Sequence, residues 1–330
     1  CQALTLIITA KNGKKTTKVT RSVNRDLGDC QLSPVDLSRA ADCDFIAEPK
    51  EGMCMLPFPD DYYTVEDESS PTGKRIHFTD AGMPVNAVNE PISAASYDLS
   101  DGFSQGQGIV VKIPGVESQA AVDANDFVPI NHIGQYADKN QKAVVINADT
   151  GERHPIWVNI DANAGSDQDR VLEIKPAVNF DEKGHYIVAL RNLVTAAGKP
   201  IAAPTAFRYY RDQIRSSQKP INDRRAHFEQ MFETLKQAGI KRRDLYLAWD
   251  FTTASNENNY KRALSMRNRA FAELGDTNLG DQIVQGSAPQ FTIDSVQVLP
   301  TGDIARKIKG HYTVPCFLEP SCGPGGTMNL

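Results

Sequence analysis

Apolar residues along this chain alternate with polar ones more often than they recur at helical spacing, and turn residues interrupt the alternation at short intervals. Residues 4–10 and 16–23 are β-favouring runs separated by Lys11-Asn12-Gly13-Lys14. Asn-Gly between two such runs predicts a hairpin, because both residues tolerate the positive φ of a tight turn. Residues 144–147, 155–160, 171–174 and 185–190 read as short strands, with Asp149-Thr150-Gly151-Glu152 and Asp181-Glu182-Lys183-Gly184 as intervening turns. Residues 245–252 alternate in the same way, and strands return at 290–298 and 308–314. Helical spacing recurs in two places. Asn222 or Asp223 would cap a helix with apolar side chains at Ala226, Phe228, Met231, Phe232 and Leu235, ended by Gly239. A second would begin after Ser255 or Asn256, carry Tyr260, Leu264, Arg267, Phe271 and Leu274 on one stripe, and end at Gly275. The pattern predicts a mainly β fold: an antiparallel sandwich, a preceding β region and two covering helices.

Composition narrows the class of protein. The chain has 330 residues, enough for more than one core, and its 36 Lys and Arg against 41 Asp and Glu give a net charge of -5. That balance argues against a nucleic-acid partner, which wants a broad basic face. The local clusters Arg224-Arg225 and Lys241-Arg242-Arg243 belong on or beside the first helix, as a solvated face. No apolar run approaches the roughly eighteen residues of a membrane-spanning helix.

The six cysteines, Cys1, Cys30, Cys43, Cys54, Cys316 and Cys322, gather near the two ends, and none forms a C-x-x-C pair. Disulfides suit that spacing better than zinc. The sequence-local pairing joins Cys1 to Cys30, Cys43 to Cys54 and Cys316 to Cys322; free buried thiols are the alternative. Bridged, the protein would mature in an oxidising compartment and be secreted or exposed at the cell surface. Residues 3–10 read as a strand that begins at once, and Cys322-Gly323-Pro324-Gly325-Gly326-Thr327 reads as a linker, so the expectation is an interior piece of a longer chain with a further domain after Leu330.

One motif points to chemistry. Gly102-Phe103-Ser104-Gln105-Gly106 matches the Gly-x-Ser-x-Gly of serine hydrolases, in which a strand runs into the serine and a helix leaves it. Here the approach, residues 95–100, is polar and turn-like, and the exit, residues 108–113, is a β-branched run closed by Pro114-Gly115. The order is loop into strand, so the glycines read as turn residues and Ser104 as a weak catalytic candidate. Its base would have to come from His132, His154, His185, His227 or His311, none in a persuasive setting, and no His-Gly-Gly-type oxyanion loop precedes Ser104. A weak calcium candidate is the loop carrying Asp161, Asn163, Asp167 and Asp169, whose oxygens recur at alternate positions except at Gly165. It departs from the EF-hand at its fifth and twelfth positions, and a solvated hairpin loop accounts for the same residues. Tyr62, Tyr63 and Trp157 could stack on a ligand or fill a core.

Leu172-Glu173-Ile174-Lys175-Pro176-Ala177, then Gly184 through Leu190, then Ala196-Ala197-Gly198-Lys199-Pro200-Ile201, resemble bacterial immunoglobulin-like modules, which often end on a strand like Trp249-Asp250-Phe251-Thr252. Leu56-Pro57-Phe58-Pro59-Asp60-Asp61 and Asp101-Gly102-Phe103-Ser104 resemble the N-terminal region of secreted bacterial lipases of the virulence-factor type. In that family the Asp-Gly-Phe-Ser lies outside the catalytic domain. The resemblance covers roughly residues 55–255 through short motifs. It implies a β-rich accessory region ahead of an α/β-hydrolase domain, with residues 211–244 as a helical insertion in an immunoglobulin-like unit.

The expected layout is therefore a hairpin over 1–26 closing an upstream β-domain, an irregular linker over 27–61, a β-rich region over 62–139, an immunoglobulin-like domain over 140–255, and a helix, terminal strands and linker over 256–330. The leading functional expectation is a non-catalytic accessory region of a secreted hydrolase, partnered by a downstream catalytic domain of the same polypeptide. A cell-surface or extracellular binding module and a free-standing serine esterase using Ser104 are the alternatives.

Overall fold

The computed structural model of the protein describes residues 4–12, 15–23, 34–48, 54–323 and 325–328. Two units emerge, Cys1–Ala254 and Ser255–Leu330. The first described element is the hairpin expected from the pattern, β1 (Leu4–Asn12) paired antiparallel with β2 (Lys15–Val23), Leu4 opposite Val23. Cys1 and Cys30 lie outside the described residues.

The first unit is built from small antiparallel sheets and covering helices. After β3 (Thr64–Glu66) and β4 (Lys74–Ile76), which pair with each other, come β5 (Ile109–Val111), helix α1 (Gln119–Asn125), β6 (Ala143–Asn147), β7 (Ile156–Ile160), β8 (Leu172–Pro176) and β9 (His185–Arg191). Helices α2 (Thr205–Arg211), α3 (Lys219–Asp223) and α4 (Arg225–Gln237) precede β10 (Leu245–Thr252). Strand order is β10-β9-β6 in one sheet and β5-β8-β7 in another. Every residue of β10 is buried, and so is every residue of β9 after His185. A strand buried on both sides must be covered on both faces. Residues of both sheets and of α2 and α4 share one apolar core. On α4 the buried side chains are Phe228, Met231, Phe232 and Leu235, the spacing of one helical face, and Tyr210 of α2 stacks on Phe228 at 3.9 Å between ring centroids.

Four expectations need correcting. Residues 34–48 and 54–61 do not behave as a linker: Val35, Phe45 and Ile46 join the common core, and a disulfide ties Cys43 to Cys54. Residues 62–139 are less β-rich than expected, since β3, β4 and β5 are three residues each and the rest is turns, short 3-10 segments and α1. Helix also starts earlier than residue 211, because the aromatic run Phe207, Tyr209 and Tyr210 packs into the core from α2. Asn222 and Asp223 fall inside α3 instead of capping α4, whose N-cap position is Arg224 with no side-chain cap.

Arg224 has other work. Its guanidinium bonds both oxygens of Asp44, at 2.6 and 3.0 Å, and stands over the rings of Phe45, Tyr62 and Phe228. Asp44 is fully buried. Burial, and then the Asp44 charge, push the neighbouring Asp60 carboxyl well above the usual range. The pair links chain segments 180 residues apart.

In the second unit, Ser255 caps α5 (Asn256–Glu273) by accepting from the Asn258 amide, and Gly275 follows with φ +90. The expected stripe is there, but Tyr260, Leu264 and Phe271 remain exposed and α5 buries no residue. Strands β11 (Phe291–Val298) and β12 (Arg306–Tyr312) form a hairpin, and β13 (Leu318–Glu319) pairs with β14 (Thr327–Met328) beside the Cys316–Cys322 disulfide.

Arg224→Met would strand a buried carboxylate, and we expect it to lower the unfolding free energy by about 3–5 kcal/mol. Urea midpoints measure it, and combining Arg224→Met with Asp44→Asn should recover part of the loss. A single-variant loss below about 1 kcal/mol would show that solvent already neutralises Asp44.

Candidate functional site

Two of the histidines weighed as bases, His185 and His227, converge not on Ser104 but on a carboxylate that no motif singles out, Asp250. In the β9–β10 ladder Thr252 stands opposite His185 and Asp250 opposite Ile187, so the side chains of Asp250, Thr252 and His185 fall on one face, with Asp250 diagonal to His185. Asp250 is 6 % exposed at its side chain, and its Oδ2 accepts from His185 Nε2 at 2.6 Å. Its other oxygen, Oδ1, accepts from Nε2 of His227 on α4 at 2.7 Å. A carboxylate can only accept, so both rings carry hydrogen on Nε2. Asp61, at the start of a 3-10 turn, completes the group. Its oxygens accept from the Thr252 amide at 2.8 Å and the Thr252 hydroxyl at 2.7 Å, and Lys74 Nζ lies 3.5 Å from Oδ2.

Electrostatics follow from that geometry. Burial alone would raise Asp250, but the hydrogen bonds from His185 and His227 outweigh it and hold the carboxyl well below its ordinary value. Burial would lower His185, and the bond to Asp250 reverses the shift, so the imidazole is raised. Asp61 is raised, first by burial and then by the Asp250 charge. Both imidazoles reach solvent, His185 at 38 % and His227 at 45 % side-chain exposure, so the buried carboxylates communicate with the surface through them. The arrangement can exchange protons with solvent and can offer mixed nitrogen and oxygen donors to a cation: ligand atoms of Asp61, His185 and Asp250 lie within 4.8 Å of one another.

Ser104 is elsewhere and differently used. It is exposed, its hydroxyl accepts from the Gly106 amide at 3.3 Å, and the chain then extends into β5, which pairs with β8. Just before it, Phe103 donates to the Thr252 carbonyl at 2.9 Å and accepts from the Ala254 amide at 2.7 Å. A Cβ on Gly102 would come within 2.7 Å of the Ala254 nitrogen and of the Thr253 carbonyl carbon, so the first glycine of the motif is demanded by backbone packing. Among the described residues no histidine hydrogen-bonds Ser104: His154 meets the Val178 carbonyl, His185 and His227 hold Asp250, His311 pairs with Asp294, His77 is exposed, and His132 is exposed in a kinked 3-10 segment.

The loop between β7 and β8 keeps its oxygens for itself. Asp161 accepts from the Asn163 amide at 2.8 Å, Asp169 accepts from the Ser166 hydroxyl at 2.6 Å, and Asp167 pairs with Arg170 at 3.2 Å. Among the described residues, the three-membered acidic or imidazole group that converges is Asp61, His185 and Asp250. Tyr63 is buried and donates to the Cys54 carbonyl at 2.7 Å, Trp157 is half-buried, and the fully buried indole is Trp249, which donates to the Pro59 carbonyl at 2.9 Å. Among the described residues, no helix is long and apolar enough to cross a membrane. Comparisons of the chain with protein-family models, curated proteins and solved structures found no match.

Sequence reasoning passed over Asp250, yet it left a trace: a carboxylate within the apolar strand Leu245-Tyr246-Leu247-Ala248-Trp249-Asp250-Phe251. Asp is almost never fully buried unless partnered, so a strand predicted to be core and carrying one implies partners elsewhere in the chain.

The pH dependence has a definite sign. His185 has a raised folded value, so its contribution is complete below the ordinary imidazole value of 6.5 and fades as pH rises through the raised one. Asp250 has a depressed value, so its contribution is complete above the ordinary 3.8 and fades as pH falls. The stability difference between the protein and His185→Gln should therefore peak between those two values and shrink on either side. Urea unfolding of both proteins across pH in citrate–phosphate buffer checks it, and a difference independent of pH would mean that His185 contributes packing alone.

Proposed function

We propose that this chain is a non-catalytic accessory region of a secreted bacterial hydrolase of lipase or esterase type, partnered by a catalytic domain of the same polypeptide. The observation that carries the reading is the use made of Gly102-Phe103-Ser104: its backbone is spliced to Thr252 and Ala254, and its exit extends into β5. A nucleophile elbow requires the opposite geometry, with a helix leaving the serine and an imidazole against its hydroxyl. The finer fold assignment, an immunoglobulin-like sandwich, draws support from the two three-stranded antiparallel sheets that share a core, with the helices α2 to α4 between β9 and β10 as the insertion. The disulfides Cys43–Cys54 and Cys316–Cys322 are compatible with an extracellular setting.

Strand register in the second unit supports a packed neighbour. A bulge between Ile293 and Ser295 keeps Phe291, Ile293, Val296 and Val298 on the same side as their partners Tyr312, Gly310, Ile308 and Arg306. Those apolar side chains are all more than half exposed, which suits a face laid against another folded body.

The purified chain should not turn over p-nitrophenyl esters, and a fluorophosphonate probe should leave Ser104 unlabelled. Labelling that disappears in Ser104→Ala would reassign the chain as an esterase in its own right.

A further inference from the structure

We propose that Asp61, His185 and Asp250 form a binding site for a divalent transition-metal ion of the zinc class, with His227 as the residue that positions Asp250. The site goes beyond the accessory reading and does not depend on it.

The donor set selects the ion. One imidazole and two carboxylates make the mixed nitrogen and oxygen set that suits zinc and its first-row neighbours, whereas calcium seeks six to eight oxygens, about, and gains nothing from an imidazole. Ligand atoms of the three residues already lie within 4.8 Å of one another. A zinc ion with bonds of about 2 Å to each would need them roughly 3.3 Å apart, so the His185–Asp250 contact, now 2.6 Å, would open and any wider separation would close around the ion. Three protein ligands leave a fourth position for water or another small ligand. His185, at 38 % side-chain exposure, gives that position a route to solvent, while both carboxylates are 6 % exposed.

The surrounding bonds are those that orient ligands. His227 donates to Asp250 Oδ1 at 2.7 Å, which leaves Oδ2 turned to His185. Thr252 donates to both oxygens of Asp61 from its amide and its hydroxyl. Such outer contacts fix carboxylate direction in metal sites. Binding needs the Nε2 lone pair of His185: a neutral ring frees it by carrying its hydrogen on Nδ1, and a protonated ring frees it by releasing the Nε2 proton to solvent. Lys74, at 3.5 Å from Asp61 Oδ2, is the competitor: its ammonium supplies part of the positive charge the ion would bring. The other described His–Asp contact that solvent reaches freely, His311 with Asp294, has no third ligand and serves as the control.

Isothermal titration of the untagged, chelator-treated chain with zinc chloride, together with visible absorption of the cobalt-substituted protein, tests the site. One ion should bind per chain, with the intense visible bands of four-coordinate cobalt. His185→Ala and Asp250→Asn should abolish binding, His227→Ala should weaken it about tenfold, and His311→Ala should leave it unchanged. Lys74→Gln should tighten it, because the competing charge is gone; a purely structural salt-bridge network would give the opposite, a less stable protein with no gain in affinity. Far-ultraviolet circular dichroism keeps loss of fold separate from loss of binding, and His185→Gln, at a half-exposed position, is the second variant should Asp250→Asn unfold. Absence of zinc binding, or binding that survives His185→Ala and His185→Gln, overturns the proposal.

Discussion

Strand β10 is buried along its whole length and yet carries Asp250, and much of the first unit is arranged so that this carboxylate can stay charged. An isolated ionised carboxylate in an apolar interior costs far more than a domain's net stability, so it either takes a proton or recruits donors. Here the donors are imidazoles from two directions. His185 comes from the adjacent strand and His227 from the helix packed over the sheet, so one charge fixes both the strand pairing and the seat of α4. Asp61 brings a second carboxylate to the same place, and the consequence is visible in its raised proton affinity and in Lys74 drawn alongside. A cluster assembled around a buried charge is also a cluster of ligands, which is why the same residues that stabilise the sheet end offer a place for a cation.

Asp44 and Arg224 solve the same problem by a different route. Asp44 is answered by a guanidinium that fits both its oxygens and that stands over the rings of Phe45, Tyr62 and Phe228. The planar cation stacks where an ammonium could not, so aromatic packing and charge pairing reinforce one another. The effect is architectural. Segment 34–48 lacks strand or helix of its own, and the disulfide at Cys43, the Asp44 pair and the Phe45 and Ile46 side chains hold it against the helices between β9 and β10.

What could be read along the chain was whatever depends on neighbours in sequence. Asn12-Gly13 marked the β1–β2 hairpin, the spacing of Phe228, Met231, Phe232 and Leu235 marked the buried face of α4, and Ser255 marked the start of α5. Local chemistry also told against Ser104, because a β-branched run after Gly108 favours extension over a helix. The misses share a cause. Asp61, His185, His227 and Asp250 are brought together by folding and share no spacing that a pattern could register. The aromatic run before Arg211 is helical because the core wants Phe207 and Tyr210 on α2, and no propensity at those positions decides it. Residues 34–48 read as part of a linker because Asp44 is held by a partner 180 residues away.

The Gly-x-Ser-x-Gly segment shows how far a motif can be separated from the chemistry it usually reports. Its first glycine is needed because the backbone of Thr252, Thr253 and Ala254 passes where a side chain would be, and Phe103 then forms hydrogen bonds to that backbone on both sides. Thr252 is also the residue that holds Asp61. The splice at Gly102-Phe103 therefore braces the end of β10 two residues beyond Asp250, and a bend of that strand end would move Thr252 and with it the Asp61 carboxylate. The segment that resembles a nucleophile elbow thus acts on the charged cluster through the backbone it supports, while Ser104 faces solvent and uses its hydroxyl within its own turn, accepting from the Gly106 amide.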